Sequence, residues 1–101
     1  MGMCLRSDQS AVYIVVLNWN LKHDTVACVE SLLAQKNSNH HVIVVDNGST
    51  DDSVSAFQMR WGAEVTLICN SRNLGFAGGM NTGIRSALGE RADWILVLNN
   101  D

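Results

Sequence analysis

Residues 42–52 read VIVVDNGSTDD. Four consecutive β-branched apolar residues suit a strand covered on both faces, where no position has to meet water. Asn47-Gly48 would ordinarily signal a hairpin, but no alternating strand follows it. Instead Thr50 or Asp51 can cap a helix, and the acidic residues suit the positive end of that helix's dipole. The segment therefore reads as strand, turn and helix, the first part of a crossover unit.

The same alternation extends in both directions. Upstream, Val12 to Leu17 (VYIVVL) is a second nearly all-apolar run. It precedes a helix that Asp24 can cap, with Val26, Val29, Leu32 and Leu33 at helical intervals, ending near the polar Lys36-Asn37-Ser38-Asn39. Downstream, Val54 and Phe57 give the second helix an inner face, and Gly62 after Trp61 is a natural stop. Val65 to Cys69 (VTLIC) is the third strand. A glycine-rich loop, Leu74 to Gly79, then leads into a third helix with Met80, Ile84, Ala87 and Leu88 facing inward and Gly89 at its end. Trp94 to Leu98 (WILVL) is the fourth strand. Links this long are crossovers, so the expected fold is α/β and doubly wound, with a mostly parallel four-stranded sheet in the order βαβαβαβ.

Composition narrows the possible functions. A chain of 101 residues is one domain at most, and about 65% of its unfolded surface is expected to be buried on folding. With 47% hydrophobic residues it is too apolar for a disordered tail, and its apolar runs are too short for a membrane span of ~20 residues. Seven Lys and Arg against ten Asp and Glu, with no basic run, leave no footprint for nucleic acid. Three cysteines (Cys4, Cys28 and Cys69) without paired spacing read as reduced thiols, and residues 1–10 read as a flexible leader without an export signal. The expected location is cytoplasmic.

Parallel sheets bind ligands beyond the carboxyl ends of their strands. Here those ends carry Asn18-Trp19-Asn20, Asp46-Asn47, Asn70 and Asn99-Asn100-Asp101, polar at all four strands. Asp46 can accept the imide N–H of a uracil or thymine, and Trp19 can stack on a base or, alternatively, fill the core. Gly75 to Gly79 lets backbone approach a diphosphate and offers helix N–H groups, although neither the dinucleotide nor the P-loop fingerprint is met; Gly83 is better explained by helix packing. Asn99 and Asp101 can offer oxygen ligands to a hard cation, Mg2+ or Mn2+.

The blocks VYIVVLNWN, VIVVDNGSTDD, NSRNLGFAGGMNTGI and WILVLNND, in that order, resemble the N-terminal half of family 2 glycosyltransferases of the GT-A, Rossmann-like fold, nearest to rhamnosyltransferase-type bacterial members. The resemblance covers Val12 to Asp101 and implies a nucleotide-diphospho-sugar donor of uridine or thymidine type. It assigns Asn18 and Trp19 to the base-binding segment, Asp46 to the carboxylate that holds the base, and Asn73, Gly75 and Asn81 to the donor pocket. Asn99-Asn100-Asp101 falls on the family's DxD motif with Asn99 in place of the first acid, so the metal is expected to rest mainly on Asp101. In this family the catalytic base and the acceptor surface follow that motif. Residues 11–101 are thus expected to be the donor-binding part of a longer, inverting, metal-assisted enzyme, inactive alone. Its acceptor would be a saccharide or a lipid-linked sugar, which allows peripheral association with a membrane. Two other readings stay open at the sequence level: a non-catalytic nucleotide-binding or flavodoxin-like module, and a small structural protein, for instance a homodimer that covers its open sheet edge.

Overall fold

The computed structural model describes residues 11–35 and 39–98. The leader 1–10, the polar segment 36–38 and the metal candidates Asn99 and Asp101 lie outside the described residues.

Four strands, β1 (Val12–Asn18), β2 (His40–Asp46), β3 (Thr66–Cys69) and β4 (Trp94–Leu98), alternate with three helices, α1 (Lys22–Leu33), α2 (Ser53–Trp61) and α3 (Gly75–Gly89). The sheet is parallel throughout in the order β3-β2-β1-β4, with Asn18 beside Asp46, Asp46 beside Cys69 and Val16 beside Leu98. The central strands bury both faces because adjacent side chains point to opposite sides. Ile14, Val16, Val42 and Val44 pack with Val29 of α1 and Phe57 and Trp61 of α2, whereas Val15, Ile43 and Val45 pack with Met80 and Ala87 of α3. Helices therefore cover both sides of the sheet, as the doubly wound reading requires.

Several boundaries shift for local reasons. α1 begins before Asp24, which falls in its first turn and does not cap it; the Thr25 N–H instead donates to the Leu21 carbonyl. At α2 the N-cap position falls on Asp52, whose side chain makes no capping bond, and the Asp51 carboxylate accepts from the Ser53 N–H at 3.0 Å. The glycine-rich stretch is not a loop but the opening of α3, entered through Gly75 at φ +80°. Leu88 points outward and is 61% exposed, while its neighbour Ala87 is fully buried. β4 lies at the sheet edge, so Trp94, Leu96 and Val97 are exposed despite the apolar run that predicts full coverage.

On the α1/α2 side, the Trp61 indole N–H and the Arg60 guanidinium both donate to Glu30 Oε2, at 2.7 and 2.8 Å. These two donors hold the Glu30 carboxyl below the usual carboxylate range, Trp61 more strongly than Arg60; Lys22 does the same for Asp52. A depressed folded-state pKa contributes stability above the unfolded value, and that contribution is lost as pH falls through the folded one. Both pairs are solvent-exposed, so their share of the stability is small. Trp61→Phe is expected to raise the Glu30 pKa towards its ordinary value. Carbon-detected NMR titration of the carboxyl group reads this directly, and an unmoved titration would dismiss the indole as the main cause.

Candidate functional site

The strand order sets the location. From β1 the chain steps outward through β2 to β3, and α3 then carries it back to β4 on the other side of β1. The order therefore reverses between β1 and β4, and ligands of such sheets bind beyond the carboxyl ends of the strands at this reversal.

Two hydrogen-bonded clusters occupy that edge. In the first, Asp46 is 1% exposed and surrounded by donors. Its Oδ1 accepts from Asn18 Nδ2 at 2.8 Å and Ser49 Oγ at 2.7 Å, and its Oδ2 accepts from the Ser49 N–H at 2.9 Å. Asn18, fully buried, accepts in turn from Thr25 Oγ1 at 2.6 Å. Asn20 extends the cluster outward: its N–H donates to Ser49 Oγ, and its Oδ1 accepts from the Thr50 and Asp51 N–H groups.

The structure gives Asp46 a local part in the turn as well as a place at the rim. A strand-end carboxylate looks free to meet a base, but here both oxygens hold the turn that follows β2. The Asp46…Ser49 spacing is the sequence signal for this, because an acidic side chain at a turn entrance commonly accepts from residues two or three positions on. Trp19, by contrast, is 49% exposed beside the end of β1, so its indole does not serve as core filling.

The second cluster centres on Asn47, which the sequence does not single out. It is 2% exposed, and its carboxamide reaches Asn70, Asn73, Leu74 and Gly75. Asn73 Oδ1 also accepts from the Gly75 N–H at 2.7 Å, in the turn that enters α3. The structure thus brings Asn73 and Gly75 together with the β2 end and brings Asn18 together with Asp46. Asn81 is exposed on α3, outside both clusters. Backbone bonds join the clusters: the Asn47 N–H donates to the Asn18 carbonyl and the Asn70 N–H to the Asp46 carbonyl, both at 2.8 Å.

Charge separates the possible anion sites. An open hollow of about 470 Å³ beside Asn20 is lined by Asp24, Asp51 and Asp52 against Lys22 and His23, a poor environment for a diphosphate. The first turn of α3, at a positive dipole end, has no acidic residue. At the end of β3, Cys69 is no ready nucleophile, since burial and the nearby Asp46 charge push its thiol pKa up.

A family model for "Glycosyl transferase family 2" matches residues 12–101 of this architecture. The chain belongs to glycosyltransferase family 2. A glycosyltransferase of Haemophilus influenzae is 38% identical over 88 residues, covering 87% of this chain and 28% of that protein. An Escherichia coli relative, the UDP-Glc:alpha-D-GlcNAc-diphosphoundecaprenol beta-1,3-glucosyltransferase WfaP, is 31% identical over 90 residues, covering 89% of this chain and 35% of its own length. Among solved structures, the mannosyltransferase PcManGT from Pyrobaculum calidifontis, in complex with GDP-Man and Mn2+, superposes with a TM-score of 0.66 at 26% identity, covering 75% of this chain and 24% of that one. The chain thus spans about a third or less of these glycosyltransferases, and its four-stranded parallel sheet matches the GT-A, Rossmann-like fold of the Pyrobaculum enzyme.

Proposed function

We propose that this chain forms the donor side of a family 2 glycosyltransferase that moves a sugar from a nucleotide-diphospho-sugar to an acceptor hydroxyl with inversion. The observation that carries this reading is the pairing of two buried polar clusters at the carboxyl edge of β1 and β2 with an acid-free α3 N-terminus. Together they offer a nucleoside corner and an anion-binding end on one rim. Trp19 stacks on the base, and Asn18 and Asp46 shape the corner beside it. Asn73 and Gly75 hold the turn that presents α3 to the diphosphate, with Asn81 about 1.7 turns further along the helix.

Asn99 and Asp101 follow β4, which lies against β1 at the reversal, and their amide and carboxylate oxygens suit a hard cation. When bound there, Mg2+ or Mn2+ would neutralise charge on the diphosphate leaving group. We assign the donor a uridine or thymidine base, in line with the UDP-glucose named for the E. coli relative; the GDP-mannose of the Pyrobaculum enzyme is the competing case. The acceptor is a saccharide or lipid-linked sugar, the latter at the cytoplasmic face of a membrane. We place the catalytic base outside these residues, since both Asp46 oxygens hold the turn after β2, Asp51 accepts from the Ser53 N–H and Asp52 pairs with Lys22.

Calorimetric titration with UDP, TDP and GDP, with and without Mn2+, tests the reading. The expected result is pyrimidine diphosphate binding that weakens about tenfold without metal, equivalent to ~1.4 kcal/mol. Preference for GDP would overturn the base assignment, and binding indifferent to metal would point to a non-catalytic nucleotide module. Glycosyl transfer by the chain alone would show that the acceptor machinery lies within it.

A further inference from the structure

We infer that Asn47 is a positioning residue that locks the nucleoside corner and the diphosphate-binding end of α3 at one fixed separation; this rests on the donor-binding reading above. Its carboxamide uses its full capacity. Oδ1 accepts from Asn70 Nδ2 at 3.2 Å and from the Leu74 N–H at 3.1 Å, while Nδ2 donates to Asn73 Oδ1 at 3.0 Å and to the Gly75 carbonyl at 3.1 Å. Two donors and two acceptors at this reach are a property of asparagine alone, since aspartate cannot donate and glutamine is a carbon longer.

The surroundings leave the group no freedom to relax. A Cβ on Gly79 of α3 would lie 3.0 Å from Asn47 Nδ2 and 2.6 Å from Leu17 Cδ1, so helix backbone sits directly on the amide. On the other side Gly48, at φ +80°, would place a Cβ 2.6 Å from the Arg72 backbone carbon. The 47–48 turn is therefore interlocked with residues 70–75, and through the Asn47 N–H it is tied to the Asn18 carbonyl at the end of β1.

A rigid spacing matters only to a ligand that spans it, because only such a ligand would have to reorder the site on binding. A nucleoside diphosphate touches both ends, whereas a nucleoside touches one. Asn47→Ala removes all four side-chain bonds, and Asn47→Asp keeps the two in which oxygen accepts.

The experiment compares the full chain and both variants for binding of UDP against uridine, with GDP against guanosine in parallel, and for amide exchange by NMR. For Asn47→Ala, diphosphate affinity is expected to fall about tenfold while nucleoside affinity stays within about twofold; Asn47→Asp should lose at least as much diphosphate affinity, because its second carboxylate oxygen would face the Asn73 Oδ1 and Gly75 carbonyl acceptors. The Leu74 and Gly75 amides should exchange faster, while those of Val15 and Val44 keep their protection. Equal weakening of nucleoside and diphosphate, or faster exchange across the whole sheet, would reduce Asn47 to a general fold residue and overturn the inference. Unchanged diphosphate affinity in Asn47→Ala would overturn it alone and leave the donor-binding reading standing. A wild-type chain that binds neither diphosphate removes both.

Discussion

Gly83→Ala is expected to destabilise the fold by about 2–3 kcal/mol, although alanine is the better helix former by ~1 kcal/mol. The added methyl would collide with Val15 Cγ1 and lie 3.0 Å from Val45 Cγ2. Both valines are fully buried in the central strands, and β-branched side chains there have no alternative rotamer to escape into. For a domain of this size the melting temperature would fall by about 10–20 °C. Gly89, where an added Cβ would meet nothing within 4 Å, is the internal control, and Gly89→Ala should be neutral or mildly stabilising. Trimming the obstacle supplies a second check: the cost of Val15→Ala with Gly83→Ala should be smaller than the sum of the single costs by about 1 kcal/mol. Urea and thermal melts of these variants beside wild type measure all of this, and Gly83→Ala midpoints equal to wild type would refute the close-packing account.

Asp46→Ala carries the other large effect, on stability and binding together. The carboxylate is the shared acceptor for Asn18 Nδ2, the Ser49 N–H and Ser49 Oγ, and at 1% exposure no water replaces it without opening the turn. Leaving buried donors without an acceptor costs about 1–3 kcal/mol, so a loss of roughly 2–4 kcal/mol is expected for the group. Nucleoside diphosphate affinity should drop by more than about tenfold, because the 47–51 turn loses its anchor. Asp46→Asn should not restore wild-type behaviour, since its NH2 must face one of the three donors. Calorimetry showing equal affinity for wild type and Asp46→Ala would take Asp46 out of the site altogether.

Much of the fold is legible in local chemistry. Runs such as Val12 to Leu17 and Val42 to Val45 have no polar position to give to water, which already calls for helices on both faces of a parallel sheet. Leu88 shows the limit of the pattern. Its spacing fits the inner face of α3, yet only one of two adjacent apolar residues can meet the sheet near the helix end, and Ala87 takes that place. Trp94, Leu96 and Val97 look like core by composition and are exposed because β4 is an edge, a matter of strand order that no local run encodes.

The candidate site divides along the same line. Residue type and position alone determine that polar side chains gather at the carboxyl ends of the strands, that the 42–52 segment turns into a helix, and that the four blocks place the chain in its family. Which of those side chains are free to face a ligand was decided only by tertiary structure. Asp46 turned inward because Asn18, 28 residues earlier, and Ser49 supply its donors. Asn47 became the tie between β2 and α3 because its partners arrive from residues 70–75, brought to it by the pairing of β3 with β2. Hydrogen-bond capacity belongs to the residue, but which groups fill it depends on neighbours that only the folded chain brings within about 3 Å of each other.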